Sequence, residues 1–113
     1  MRLIFMATLF SLSATLAHAD RLSGQEAASV MSQGTLQFVA GSVLTIRGDG
    51  TFSFRHGNGS SQQGTYTLYS NGQVDLNDAK SGQTFSFYFD EAANATSVVY
   101  VAGPWKGERY ALR

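Results

Sequence analysis

From residue 35 onward, short segments of alternating apolar and polar residues are separated by glycine-containing turns. This pattern restricts the fold more than any other feature of the chain. Alternation is clear in LTI, TFSFRH, TFSFYFD and RYALR. Eight strands are predicted, at 35–40, 42–47, 51–56, 64–69, 73–77, 83–90, 97–102 and 107–112. Short strands with regular turn signals are typical of an all-β sandwich or barrel.

The turns predict the pairing of the strands. In IRGDGTF, a three-residue loop at 48–50 places Ile46 opposite Phe52. In LYSNGQVDL, a two-residue Asn-Gly turn would mix the faces, whereas a three-residue loop at 70–72 with a left-handed Gly72 keeps them separate. The predicted inner face is Leu44, Ile46, Phe52, Phe54, Tyr66, Leu68, Val74, Leu76, Phe85, Phe87 and Phe89, completed by Val99, Val101, Tyr110 and Leu112.

Sequential antiparallel strands lose their exposed edges when they close on themselves. We therefore expect a small up-and-down barrel or half-barrel of seven to eight strands, with a two-sheet sandwich as the alternative. One short helix is predicted ahead of the strands, because Ser23 and Glu26 form a capping box and Gly34 suits its end. It should dock against one end of the barrel, and the polar stretch 57–63 should be a mobile loop.

The first 19 residues have the pattern of a signal peptide. Arg2 precedes an apolar run from residue 3 to about 16, and Ala17-His18-Ala19 is an A-x-A cleavage site. The run is too short for a membrane span, so a retained membrane anchor is the weaker alternative. We expect cleavage near Ala19-Asp20, a periplasmic or secreted location, and a single β-barrel domain at 20–113.

Composition excludes several classes of function. The chain has eight Lys and Arg against eight Asp and Glu, so it lacks the basic patch that nucleic acids or an anionic membrane require. It has no Cys, and His56 would be the only His after cleavage. Thiol chemistry and a metal site with several His are therefore excluded, and we expect no metal and no cofactor.

Two places could carry a function. His56 ends its strand at a barrel mouth, but no G-x-S-x-G or matched acid accompanies it, so a structural role is expected and an enzyme is not. Trp105 either folds back over the barrel end or joins Tyr100, Lys106 and Arg109 in an aromatic and basic binding patch. Five inward Phe predict a filled interior, which favours a site at a mouth or on an outer face.

The order of features resembles a group of small secreted proteobacterial proteins of unknown function with a lipocalin-like β-fold. The features are the signal peptide, LSGQEAASVMSQGTL, GDGTF and GTYTLYSNGQVDL. This resemblance implies a fold and a compartment.

SGQTF at 81–85 and YVAGPWKGE at 100–108 are similar to two motifs of the periplasmic inhibitors of C-type lysozyme, with Ser81, Tyr100 and Lys106 as the matching residues. We therefore expect an exported, non-enzymatic barrel that binds a small ligand or an envelope protein. The alternative is an inhibitor of an enzyme such as lysozyme.

Overall fold

The computed structural model describes residues 20–113, and the predicted signal peptide at 1–19 lies outside the described residues. Nine β-strands and one α-helix follow in order within this range. They are β1 (Asp20–Arg21), α1 (Gly24–Met31), β2 (Thr35–Gln37), β3 (Val43–Ile46), β4 (Thr51–Arg55), β5 (Ser61–Leu68), β6 (Val74–Asp78), β7 (Thr84–Ala92), β8 (Ala95–Ala102) and β9 (Arg109–Ala111).

The nine strands form one antiparallel sheet. Strands β2 to β9 lie side by side in chain order, and β1 pairs with β7. The mainly β architecture with one short helix agrees with the sequence prediction, although β1 was not expected. Within residues 20–113, no continuous ladder closes the sheet into a barrel. In the same range its two end strands, β2 and β9, are joined only through a single isolated bridge between Phe38 and Leu112.

Helix α1 covers one end of the sheet. The predicted capping box is present, with Glu26 N–H donating to Ser23 Oγ at 3.1 Å and Ser23 N–H donating to Glu26 Oε1 at 2.9 Å. Ala27 and Met31 are buried in the core. Gly24 N–H donates to the carbonyl of Ser70, which fixes α1 beside the turn after β5. We call the end of the sheet that α1 covers the helix end. The opposite end, with the loops 38–42, 56–60, 79–83 and 103–108, is the loop end.

The two predicted three-residue hairpin loops are confirmed. Arg47 N–H donates to the carbonyl of Thr51 at 3.0 Å, and Ile46 lies opposite Phe52. At the second hairpin, the loop at 70–72 places Leu68 opposite Val74, and Gly72 has a φ of 94°. Both loops thus combine a turn with a left-handed glycine, as the apolar pairing required.

The stretch 57–63 does not form the long loop that we expected. It begins with a third three-residue loop at 57–59, where His56 N–H donates to the carbonyl of Ser60 at 2.8 Å and Gly59 has a φ of 92°. Residues 61–63 then start β5 and pair with β4. The side chain of Asn58 accepts from Ser60 N–H inside the turn, so polar residues here support a hairpin.

The inner face of the sheet is a filled aromatic core. Phe52, Phe85, Phe87 and Phe89 are each no more than 2% exposed, and the predicted inner residues of β3 to β7 are buried or packed against this cluster. The ring of Trp105 contacts Phe54 on β4 and also Phe85 on β7. Because these strands are three places apart in the sheet, the sheet must curl strongly around its core.

The predicted register of β8 was wrong. Val98 and Tyr100 are buried, whereas Val99 and Val101 are half-exposed on the other face. Both faces of SVVYVA are apolar apart from the serine and the tyrosine, so alternation could not decide between them. The pairing with β7 decides it, because the two-residue turn at Ala93 and Asn94, both with positive φ, sets a register that places Tyr100 opposite Phe87.

Substitutions at two hairpin glycines distinguish the cost of backbone strain from that of steric crowding. In Gly50→Ala the new Cβ would have no atom within 4 Å. Only the backbone φ of 92° then opposes the substitution, which should lower the stability by about 1–2 kcal/mol. The new Cβ in Gly72→Ala would in addition overlap the carbonyl oxygen of Leu22, which belongs to the rigid backbone ahead of α1. Urea unfolding should therefore give a clearly larger loss of stability for Gly72→Ala. Equal losses would contradict the close approach of Leu22 to this turn.

Candidate functional site

A cavity opens at the loop end, above the filled core. Its volume is about 240 Å³. This is below the roughly 300 Å³ at which pockets for drug-sized ligands begin, so it fits a smaller molecule. Six rings form most of its wall: Phe38, Phe54, His56, Tyr100, Trp105 and Tyr110.

Two of the four loops at the loop end contribute polar groups to the cavity. Ser42 follows the turn between β2 and β3, and Asn58 and Ser60 belong to the turn between β4 and β5. These three residues were not predicted as site residues from the sequence. Their signal was present, because HGNGS repeats the glycine–Asp/Asn–glycine turn of RGDGT and so identifies a tight hairpin that holds Asn58 in place.

Trp105 folds back over the end of the core. Its ring stacks on Phe85 with centroids 4.9 Å apart, and it meets Tyr100 edge-on at 5.3 Å. The loop that carries it turns at Gly103, where an added Cβ would lie 3.1 Å from the Phe85 ring. The ring is half-buried, so one part packs on the core and another part forms a wall of the cavity.

His56 forms the wall beside Trp105. Its ring centroid lies 5.2 Å from that of Trp105 and 4.5 Å from that of Phe54. Nε2 is 2.8 Å from Oε1 of Gln62 on β5. Because an amide oxygen can only accept, Nε2 is the donor in this pair. The partner of the ring is thus an amide and not a carboxylate.

Tyr100 forms the floor of the cavity on the β8 side and is 2% exposed. The ring of Tyr110 packs against it at 5.9 Å. Burial raises the pKa of Tyr100, and the neighbouring Tyr110 and Glu108 raise it further, so its hydroxyl stays protonated. The Tyr110 hydroxyl donates to the carboxylate of Glu108, and this hydrogen bond and burial raise the pKa of Tyr110.

The predicted aromatic and basic patch is therefore divided. Tyr100 and Trp105 belong to the cavity together with His56, whereas Lys106 is exposed on the 103–108 loop. Arg109 points to the outer face of the sheet, since it alternates with the inward Tyr110. Its Nη1 lies 2.7 Å from Oδ1 of Asp90 on β7, a carboxylate that is almost fully buried.

No family model matches the chain, and neither a curated protein nor a solved structure is significantly similar to it. Within residues 20–113, no group of three or more His, Asp or Glu is placed to hold a metal ion. In the same range no helix is long and apolar enough to cross a membrane.

Arg109 is expected to matter for stability. Arg109→Ala leaves the Asp90 carboxylate buried without its cation, which should cost about 1–3 kcal/mol, less than for a fully buried pair because half of the Arg109 side chain is exposed. Arg55→Ala is the control, since Arg55 is exposed on β4, and it should change the free energy of unfolding by less than about 0.5 kcal/mol. Urea unfolding measures both. Equal effects would show that the ion pair contributes nothing.

Proposed function

We propose that this chain is an exported, non-enzymatic binding protein with a barrel-like fold, and that it holds a small ring-shaped molecule in the cavity at the loop end. The observation that carries the proposal is the cavity itself: six rings surround a volume of about 240 Å³ above a core that is otherwise filled. Its walls come from strands that are far apart in the sheet, so the cavity forms only when the sheet curls around its core.

Contacts between the end strands favour a closed barrel. On either side of the Phe38–Leu112 bridge, Val39 N–H donates to the carbonyl of Ala111 at 3.0 Å, and Arg113 N–H donates to that of Gln37 at 2.8 Å. Closure would hold Phe38 and Tyr110 close together on neighbouring strands along one side of the cavity. The export signal rests on residues 1–19, through Arg2, the apolar run and the A-x-A site.

A binding role fits the chemistry of the cavity better than a catalytic one. A general base needs its proton acceptor positioned by a partner and aimed at a reacting group. His56 is held by an amide, and neither a carboxylate nor a lysine is among the residues that line the cavity in the described part of the chain. The aromatic walls offer contact area and a few fixed hydrogen-bonding groups, which is the usual make-up of a small-molecule site.

The second candidate is an inhibitor of an enzyme such as a C-type lysozyme, acting through the same end of the sheet. Exposure of Lys106 favours it. The other two residues of that resemblance are engaged elsewhere, because Ser81 donates its hydroxyl to Asp78 and Tyr100 is buried. Lysozyme assays with the wild type and Lys106→Ala separate the candidates, and under the binding proposal neither protein inhibits.

Trp105 is the sole Trp of the chain, so its indole N–H gives a single resonance that reports on the cavity. Titration with acetophenone should shift this resonance to saturation. For about nine non-hydrogen atoms at roughly −0.5 kcal/mol each, the dissociation constant should be about 0.1–1 mM. A shift that never saturates in the wild type would overturn the proposal.

A matched pair of variants locates the binding. Ser42→Leu places a larger side chain into the cavity and should abolish the saturable shift. Ser29→Leu makes the same change on the exposed surface of α1, at the helix end, and should leave the dissociation constant unchanged. Equal binding by both variants would place the ligand elsewhere.

A further inference from the structure

Within residues 20–113, the Tyr100 side chain is buried and its hydroxyl has no hydrogen-bond partner. Tyr100 is 2% exposed, and within residues 20–113 it is the tyrosine with the least exposure. Three other tyrosines donate their hydroxyls: Tyr66 to the carbonyl of Arg47, Tyr69 to Asp75 and Tyr110 to Glu108. The Tyr100 hydroxyl forms no hydrogen bond in the same range, and burial dominates the shift of its pKa.

Such a group requires an explanation, because leaving a buried hydroxyl without a hydrogen bond destabilises a protein. Tyr100 lines the cavity, so an occupant can supply what the protein does not. The phenol stays protonated, and its natural partner is therefore a hydrogen-bond acceptor. His56 also lines the cavity, and its Nε2 is already engaged with Gln62.

The residues around the cavity also limit the charge of the occupant. Its lining in the described part of the chain contains no Asp, Glu, Lys or Arg. The carboxylate of Glu108, beside the lining residue Tyr110, accepts the hydrogen bond of the Tyr110 hydroxyl. A charged molecule would lose its hydration without a counter-charge, which is strongly unfavourable. An uncharged molecule loses little hydration free energy, and the rings of Trp105 and Phe54 offer it an apolar contact surface.

We infer that the cavity selects an uncharged planar ring with a carbonyl-type acceptor, and that the acceptor takes a hydrogen bond from Tyr100. Tyr100 is then the residue that determines specificity. This inference rests on the proposed binding function and names its ligand class. The aromatic walls provide attraction for any ring of suitable size, and the hydroxyl distinguishes rings with an acceptor from rings without one.

Two isosteric probes test the inference. Acetophenone carries a carbonyl oxygen, and α-methylstyrene has a methylene group at the same place, so the two differ in the acceptor alone. Each is titrated into the wild type while the indole resonance of Trp105 is followed. We expect acetophenone to bind about tenfold more tightly, as one net hydrogen bond allows. Equal affinities would overturn the inference while leaving the proposed function intact, and would fit a hydroxyl satisfied by water.

Tyr100→Phe removes the hydroxyl and keeps the ring that packs on Phe87 and Trp105. The preference for acetophenone should disappear in this variant, with binding of α-methylstyrene retained. Tyr88→Phe is the matched control, because Tyr88 lies on the outer face under Arg21, and it should keep the tenfold preference. A preference that persists in Tyr100→Phe overturns the assignment of Tyr100. If neither probe binds to the wild type, the proposed function itself fails.

Discussion

The structure depends on the register that its tight hairpins impose. In a strand, successive side chains point to opposite faces, so a slip by one residue would exchange the whole core face for the solvent face. Three loops, at 48–50, 57–59 and 70–72, use the same arrangement of an Asp or Asn at the centre and a left-handed glycine after it. Each loop therefore fixes the faces of the two strands that it joins, without a disulfide.

A filled interior follows from that register. The rings of Phe52, Phe85, Phe87 and Phe89 all point inward and occupy the space that a deep ligand pocket would need. The cavity is consequently confined to the loop end, where the last ring of the core, Phe85, is covered by Trp105. The same packing that stabilises the sheet thus builds one wall of the site. The helix end is covered by α1, so the two ends differ in character.

The sequence was most informative where apolar alternation and turn chemistry agreed. Leu44, Phe52, Leu68 and Val74 were placed on the inner face correctly, and the Ser23–Glu26 capping box was recognised. It was least informative where both faces are apolar, and this is why the side of β8 occupied by Tyr100 could be determined only from its pairing with β7. The two residues of β1 carry no periodic signal, and their pairing with β7 is a purely tertiary contact. The cavity was likewise beyond reach, since it joins Phe38, His56 and Tyr100 from distant parts of the chain.

The most direct test of this account is a crystal structure of the protein with acetophenone bound. One molecule is expected in the cavity beside the rings of Trp105 and Phe54, with its carbonyl oxygen within hydrogen-bonding distance of the Tyr100 hydroxyl. A molecule in the groove between α1 and Arg113, or an empty cavity at saturating ligand, would contradict the proposed binding site.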